Sequence, residues 1–242
     1  MIPALERGLR VLKLVLRSPV PLGYNEICAQ TRLPASSATR LLQSLEEGRY
    51  LIKDSAGKYL AGNELLVLGH GNPVFERLLG RSREVLTRLS ADTGNTAQLI
   101  FWNGRDVQCI DKVVDSFSIS MQELGNITRD LSLTPWGWFF HDALPAAEKR
   151  QAEKEMKFRA RFQQESPAWL AAYRQTGVAF DDQFFYPHVR RLAAPVTEHA
   201  RLVGAVVLGG NTLTIPDDKI DAFMKRVKEA ADEMSIDARR EP

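Results

Sequence analysis

Apolar residues recur at helical spacing at Leu5, Leu9, Val11, Leu12, Val15 and Leu16, interleaved with Arg7, Arg10, Lys13 and Arg17. The spacing predicts an amphipathic first helix with those leucines and valines inward. Ser18-Pro19-Val20-Pro21 ends it, because a proline disfavours helical geometry in the residue before it. A short second helix fits Tyr24–Thr31, with Ile27 and Cys28 or Ala29 inward. Leu33-Pro34 then makes a sharp turn, and Ala35 or Ser36 starts a third helix with a buried stripe of Ala38, Leu41, Leu42 and Leu45. Its other face presents Ser37, Thr39, Arg40, Gln43 and Ser44, and Gly48 closes it. Tyr50-Leu51-Ile52-Lys53 and Lys58-Tyr59-Leu60-Ala61, joined by a polar turn with Gly57, read as a hairpin.

Beyond the hairpin, Leu65, Leu66, Leu68 and Gly69 predict a short linker helix, broken at Gly71-Asn72-Pro73. Val74 to Thr93 reads as one helix with the stripe Leu78, Leu79, Val85, Leu86 and Leu89. Thr96–Trp102 and Val107–Val113 read as strands around Asn103-Gly104, a dipeptide that favours a tight hairpin. Arg190–Glu198 and Leu202–Gly209 give two more strands. A last amphipathic helix runs from Pro216 to about Ser235, with Ile220, Phe223, Met224, Val227 and Ala231 inward. The expected fold class is α+β, with a helical head and hairpin, a linker and an α/β sheet domain covered by helices.

Composition narrows the classes without choosing among them. Of 242 residues, 44% are apolar and 26% charged, an ordinary globular balance. No apolar run approaches the roughly 20 residues a membrane span needs, so no membrane partner is expected. The start lacks the charged-then-apolar order of a signal peptide, and two cysteines, Cys28 and Cys109, fit a reducing compartment. A cytoplasmic protein is expected. Residues 1–62 carry nine Lys/Arg and five Asp/Glu, a net of +4, whereas the remainder carries 23 and 25, a net of −2. Positive charge is thus concentrated at the end with the helices and hairpin, as expected for an end that approaches phosphates.

Three helices followed directly by a hairpin is the winged-helix layout, whose third helix enters the major groove of duplex DNA. Hydroxyl, guanidinium and amide groups on its exposed side can reach base edges and phosphates. The competing reading of the same pattern is a small helical domain for protein contacts, with Arg40 and Gln43 merely solvated. The run Leu5-Glu6-Arg7-Gly8-Leu9-Arg10-Val11-Leu12, then Glu26-Ile27, Leu33-Pro34-Ala35-Ser36, Arg40-Leu41-Leu42 with Leu45-Glu46, and Gly57-Lys58-Tyr59-Leu60-Ala61-Gly62 resembles the head of IclR-type transcription regulators. The resemblance implies that Ser36, Ser37, Thr39 and Arg40 sit at the DNA-facing end of the recognition helix. Thr39 and Gln43 are candidates for base contacts. Lys53 and Lys58 on the wing, and Arg7 or Arg10, are candidates for phosphates, while Arg40 is open to either.

The remainder resembles the effector domain of the same regulators, a fold related to GAF domains. Leu86 and Leu89 with Thr93-Gly94, Gly177-Val178-Ala179-Phe180-Asp181, and Ala193-Ala194-Pro195-Val196 carry this resemblance. It implies domains at 1–62, 63–73 (linker helix) and 74–242. It also implies a homodimer or dimer of dimers, and a small organic acid effector bound between the sheet and residues 124–144. Leu133-Thr134-Pro135-Trp136-Gly137-Trp138-Phe139-Phe140 is far more aromatic than the family pattern there. Candidate effector residues are Leu133, Trp136, Gly137, Trp138, Phe140, Asp181 and Arg191. The aromatics build a box for a flat ring or simply fill core. Gly137 allows close backbone approach, with helix-start amides free for an anion. Arg191 stands where the family often has cysteine: inward it can pair with a carboxylate, outward it is a solvated strand charge. Asp181 matches an acidic family position or caps a turn. The alternative is a domain that has lost its ligand and only oligomerises.

His70, His141, His188 and His199 lie far apart, and neither cysteine has a Cys-x-x-Cys partner. No phosphate-binding loop, nucleophile elbow or paired-carboxylate motif is present. No enzyme, metal or cofactor is expected, and a metabolic enzyme with a DNA-binding head is a distant third reading. The charges from Glu148 to Arg161 alternate at helical spacing and read as a solvated helix face.

Overall fold

A computed structural model of the protein describes residues 3–69, 72–115, 118 and 122–236. The chain divides into two compact units, Met1–Glu76 and Arg77–Pro242.

The first unit holds α1 (Pro3–Arg17), α2 (Tyr24–Thr31) and α3 (Ala35–Glu47), then a hairpin of β1 (Leu51–Lys53) and β2 (Tyr59–Ala61), then α4 (Glu64–Gly69). Its core is Val11, Val15, Leu22, Ile27, Leu42, Leu51 and Tyr59. Leu22 exchanges backbone bonds of 3.0 and 2.8 Å with Tyr59, tying the chain before α2 to the hairpin. One reading needs correction. Leu5, Leu9 and Leu16 are 59%, 47% and 45% exposed, because α1 turns its Val11–Val15 stripe to the core and the leucines lie on a second stripe. Gly48 closes α3 as read, although the left-handed conformation falls on Arg49 (φ 57°), and a Cβ at Gly48 would come within 2.8 Å of the Tyr50 ring.

The second unit is built on a six-stranded sheet of order β5-β4-β3-β8-β7-β6, antiparallel throughout. Its strands are β3 (Thr96–Trp102), β4 (Val107–Val113), β5 (Ile127–Thr128), β6 (Ala179–Asp182), β7 (Val189–Glu198) and β8 (Arg201–Asn211). β3 and β4 match their predicted spans, while β5 and β6 add to the expectation. The helix α5 (Pro73–Thr93) starts where the Asn72 side chain accepts the Phe75 amide at 3.1 Å. His70 and Gly71 lie outside the described residues. The helices α6 (Gly137–Ala143), α7 (Ala146–Glu155) and α8 (Arg159–Thr176) precede β6, and α9 (Ile220–Met234) ends the fold. The charge run is therefore two helices, interrupted where Met156 turns into the core.

Alternation along strands sends successive side chains to opposite faces. Ile100, Trp102, Cys109, Ala179, Ala193, Ala205 and Val207 share a core with Trp136, Trp138, Phe139, Phe140, Met156 and Phe162. Every residue of β3 is buried, so both faces of the sheet are covered there. Desolvation in this core pushes the Cys109 thiol up to about 11. Cys109 is accordingly a packing residue and not a nucleophile at neutral pH.

Candidate DNA-reading face and effector site

On α3, Ser36, Thr39, Arg40 and Gln43 are exposed and Ser37 is half-buried. The arrangement is not five free polar groups. Thr39 Oγ1 donates to the Ala35 carbonyl at 2.9 Å, and the Tyr24 hydroxyl lies 2.9 Å from that carbonyl and 3.0 Å from Thr39 Oγ1. The Thr39 hydroxyl hydrogen is spent on Ala35, which leaves a lone pair of its oxygen and its methyl for a base. Gln43 Nε2 donates to Glu47 at 2.9 Å along the exposed helix, a bond that water or a base can replace. Arg40 has no hydrogen-bond or ion-pair partner among the described residues.

On the hairpin, Lys53 Nζ pairs with Glu46 at 2.8 Å and lies 5.0 Å from the Tyr59 ring. The Glu46 carboxylate also raises the Lys53 pKa above its ordinary value. A phosphate at Lys53 must compete with that carboxylate. Lys58 uses its backbone amide on Asp54 at 2.9 Å, while its exposed ammonium has no partner among the described residues. Arg7, Arg40 and Lys58 are thus the uncommitted cations among the predicted contacts, and Tyr24 is a positioning residue that the sequence shows only as a helix start.

In the second unit, strand register places Asp181, Arg191, Gly209 and Thr96 in one row across β6, β7, β8 and β3. Arg191 is inward and 3% exposed, Asp181 1%. Arg191 Nε donates to Asp181 Oδ2 at 2.7 Å, and Nη2 lies 2.6 Å from the same oxygen at an angle that leaves it without a hydrogen bond. Burial lowers the Arg191 pKa, and the attraction of Asp181 opposes that shift. The other oxygen of Asp181 accepts the Phe184 amide at 2.9 Å, so Asp181 caps the turn that follows β6. The guanidinium stands 4.8 Å from the Phe185 ring and 5.6 Å from that of Trp136. Nε1 of Trp136 and of Trp138, Oγ1 of Thr134 and of Thr96, and Nη2 of Arg191 are all buried without a hydrogen-bond partner. Unpaired buried polar atoms are rare in folded proteins, and each of these is open to an acceptor-bearing ligand or water.

The aromatic segment divides. Trp138 stacks on Trp169 at 3.7 Å and Phe140 on Trp102 at 4.8 Å. Both are core. Gly137 needs a correction. A Cβ there would overlap the Leu131 carbonyl, so the close approach is made by Leu131 and not by a ligand. The Gly137 amide also bonds Thr134 O at 3.1 Å, and the seven-residue α6 offers no anion seat at its start. Leu133 lines a cavity of about 90 Å³ together with Phe158, Phe162, Trp169, Phe184 and Phe185. Trp169, Phe184 and Phe185 were missed from sequence, although the aromatic run at 184–186 beside Asp181 was a readable signal. A larger hollow of about 350 Å³ lies at the surface around Arg105, Arg129, Glu148 and Glu155, away from the unpaired atoms. No group of three metal-ligating side chains occurs among the described residues, and no helix among them is long and apolar enough to cross a membrane.

Comparison with known families settles the class. Residues 4–55 match the IclR helix-turn-helix domain, and residues 76–236 match the C-terminal domain of bacterial IclR transcriptional regulators. The chain belongs to the IclR family. Among curated IclR relatives it is 23% identical to the HTH-type transcriptional regulator KipR of Bacillus subtilis, covering 95% of this chain and 94% of that one. It is also 23% identical to the transcriptional repressor IclR of Escherichia coli, over 97% and 89% of the two chains. Thermotoga maritima IclR shares the fold with a TM-score of 0.70 at 22% identity, over 97% and 98% of the chains. An IclR homolog from Microbacterium hydrocarbonoxydans, crystallised with 4-hydroxybenzoate, does so with a TM-score of 0.77 at 15% identity, over 98% and 100%. As an IclR-type regulator the protein binds DNA through its helix-turn-helix head, and the expectation of a mixed helix-and-strand fold with that head is met.

Proposed function

We propose that this IclR-family regulator reads an operator duplex with α3 and the hairpin, and that an aromatic organic acid bound beside Arg191 controls it. In this reading residues 1–62 contact DNA, 63–73 link, and 74–242 bind the effector and assemble the chain as a homodimer or dimer of dimers in the cytoplasm. The observation that carries it is the buried Arg191, whose guanidinium lies near the Trp136 and Phe185 rings and whose Nη2 makes no hydrogen bond despite its ion pair with Asp181. A carboxylate supplies the missing acceptors and a flat ring fits the aromatic walls. The Microbacterium homolog bound to 4-hydroxybenzoate shows that a ligand of this class can occur on this fold.

Benzoate and 4-hydroxybenzoate test it by thermal unfolding. At a hundred times Kd, binding adds about 2.7 kcal/mol. For a unit of this size that is roughly 5–10 °C. No ligand turnover is expected. One observation favours a second reading: Asp181 already neutralises Arg191, and Trp138 is already stacked on Trp169. If no aromatic or aliphatic acid moves the midpoint, the domain serves assembly alone.

For the DNA face, Arg40→Ala is the decisive variant. Loss of a bidentate base contact costs about 1–3 kcal/mol and relaxes discrimination at one position. Loss of a phosphate contact weakens selected and scrambled duplexes alike and flattens the salt dependence. Titration of both duplexes between 50 and 200 mM salt separates the cases. Unchanged affinity and discrimination would remove Arg40 from the readout.

A further inference from the structure

Arg32 closes α2 in the left-handed region, with φ 54°. A Cβ is disfavoured there, and helices that end this way most often place glycine or asparagine at that point. Strain of this kind persists only where the surrounding structure holds it, and it clusters at functional sites. The Arg32 side chain lines a groove of about 480 Å³ between α1 and the α2–α3 turn, together with Glu6, Arg7, Arg10, Gln30 and Pro34. Three guanidiniums face one carboxylate, and that carboxylate, Glu6, lies 3.7 Å from Arg10. Arg7 and Arg32 are exposed and have no ion-pair partner among the described residues. The turn Arg32-Leu33-Pro34 runs directly into α3, so the groove adjoins the start of the helix that exposes Ser36 and Arg40.

We propose that this groove takes a backbone phosphate of the duplex that α3 reads, with Arg32 and Arg7 as its contacts. The inference rests on the DNA-reading role of α3. It assigns the groove a sequence-independent task, which is to fix the register of α3 on the duplex. The competing account is that Arg32 only complements the carbonyl end of α2. The two accounts predict opposite stabilities for Arg32→Gly. Removing a used side chain from a strained position relieves the backbone, whereas removing a helix-end cation destabilises it.

The test uses the full chain, a duplex recovered by in vitro selection and a scrambled duplex of equal length. Arg32→Gly is expected to melt no lower than the parent by far-ultraviolet circular dichroism. It should bind both duplexes about eightfold more weakly per bound head at 0.1 M salt, with a log–log salt slope shallower by about 0.9 per head. The ratio of selected to scrambled affinity should not change. Arg32→Asn, which also tolerates the left-handed region, should reproduce the loss, and Arg7→Gln should add to it.

Parental affinity and slope in Arg32→Gly would overturn the groove while leaving the reading of α3 intact. Lower stability with unchanged binding would establish the helix-end account instead. Failure of the parent to bind any duplex at 50 mM salt would remove both. Inorganic phosphate replacing chloride at constant ionic strength should leave DNA binding unchanged. A phosphate-specific loss that disappears in Arg32→Gly would make the groove a free-anion site and overturn the assignment to DNA.

Discussion

Gly137→Ala is expected to lower the stability of the second unit by about 3–5 kcal/mol, among the larger effects a single methyl group can have. The added Cβ would overlap the Leu131 carbonyl oxygen and sit 2.7 Å from its carbon. Both partners are backbone, so no rotamer change relieves the overlap. Relief requires α6 to move away from the turn at residues 131–133. That movement carries Trp136, Trp138 and Phe140, all buried, out of their packing. All four tryptophans of the chain, at 102, 136, 138 and 169, lie in the second unit. Tryptophan fluorescence during thermal unfolding therefore reports this unit without interference from the head. A midpoint within 2 °C of the parent would mean that the contact relaxes cheaply, contrary to the geometry.

Asp181→Ala should cost a similar amount for a different reason. Arg191 would be left buried with its charge uncompensated, and truncating one partner of a buried pair costs about 3–5 kcal/mol. The Phe184 amide would lose its acceptor as well. Replacing both partners with apolar residues, as in Asp181→Leu with Arg191→Met, should recover most of the loss, since such pairs are often neutral against well-packed hydrophobic substitutes. Urea unfolding of the two single variants and the double variant gives the coupling. The double variant also separates stability from function: it should fold, keep binding duplex DNA, and no longer be stabilised by benzoates. An Asp181→Ala protein as stable as the parent would show that water reaches Arg191, and the site would then be wetter than its burial indicates.

Long, strongly periodic segments were legible from sequence, and short or doubly amphipathic ones were not. α5, β3 and β4 start and end within a residue of where the sequence places them, because Asn72-Pro73, Gly94-Asn95 and Asn103-Gly104 punctuate the chain around them. β6 was recognised only as a family motif, since Asp181 and Asp182 hide a four-residue strand whose identity depends on pairing with β7. β5 exists only through its two-residue pairing with β4. α1 misled because a 15-residue helix can carry two apolar stripes, and periodicity does not say which one meets the core. At the candidate site the residue types were readable, but their commitments were not. Nothing local in the sequence shows that Thr39 is spent on Ala35, that Lys53 is held by Glu46, or that Asp181 occupies Arg191. Each depends on a partner brought in by tertiary packing.

The order of the sheet has a consequence for how the chain is made. β3 pairs with β8, joining Thr96 to Gly209 across more than a hundred intervening residues. A ribosome adding 5–20 residues per second takes on the order of ten seconds to travel from one to the other. Throughout that interval β3 and β4 exist as a hairpin whose inner strand, entirely buried in the finished protein, has one edge unpaired and lacks the cover that Trp136 and Phe140 later give Ile100 and Trp102. The whole of the first unit, Met1–Glu76, has been synthesised before that interval begins. Nascent chains should therefore carry a fully synthesised DNA-reading module ahead of an open, adhesive hairpin, and ribosome-bound intermediates stalled between β4 and β8 should be the species on which chaperones act.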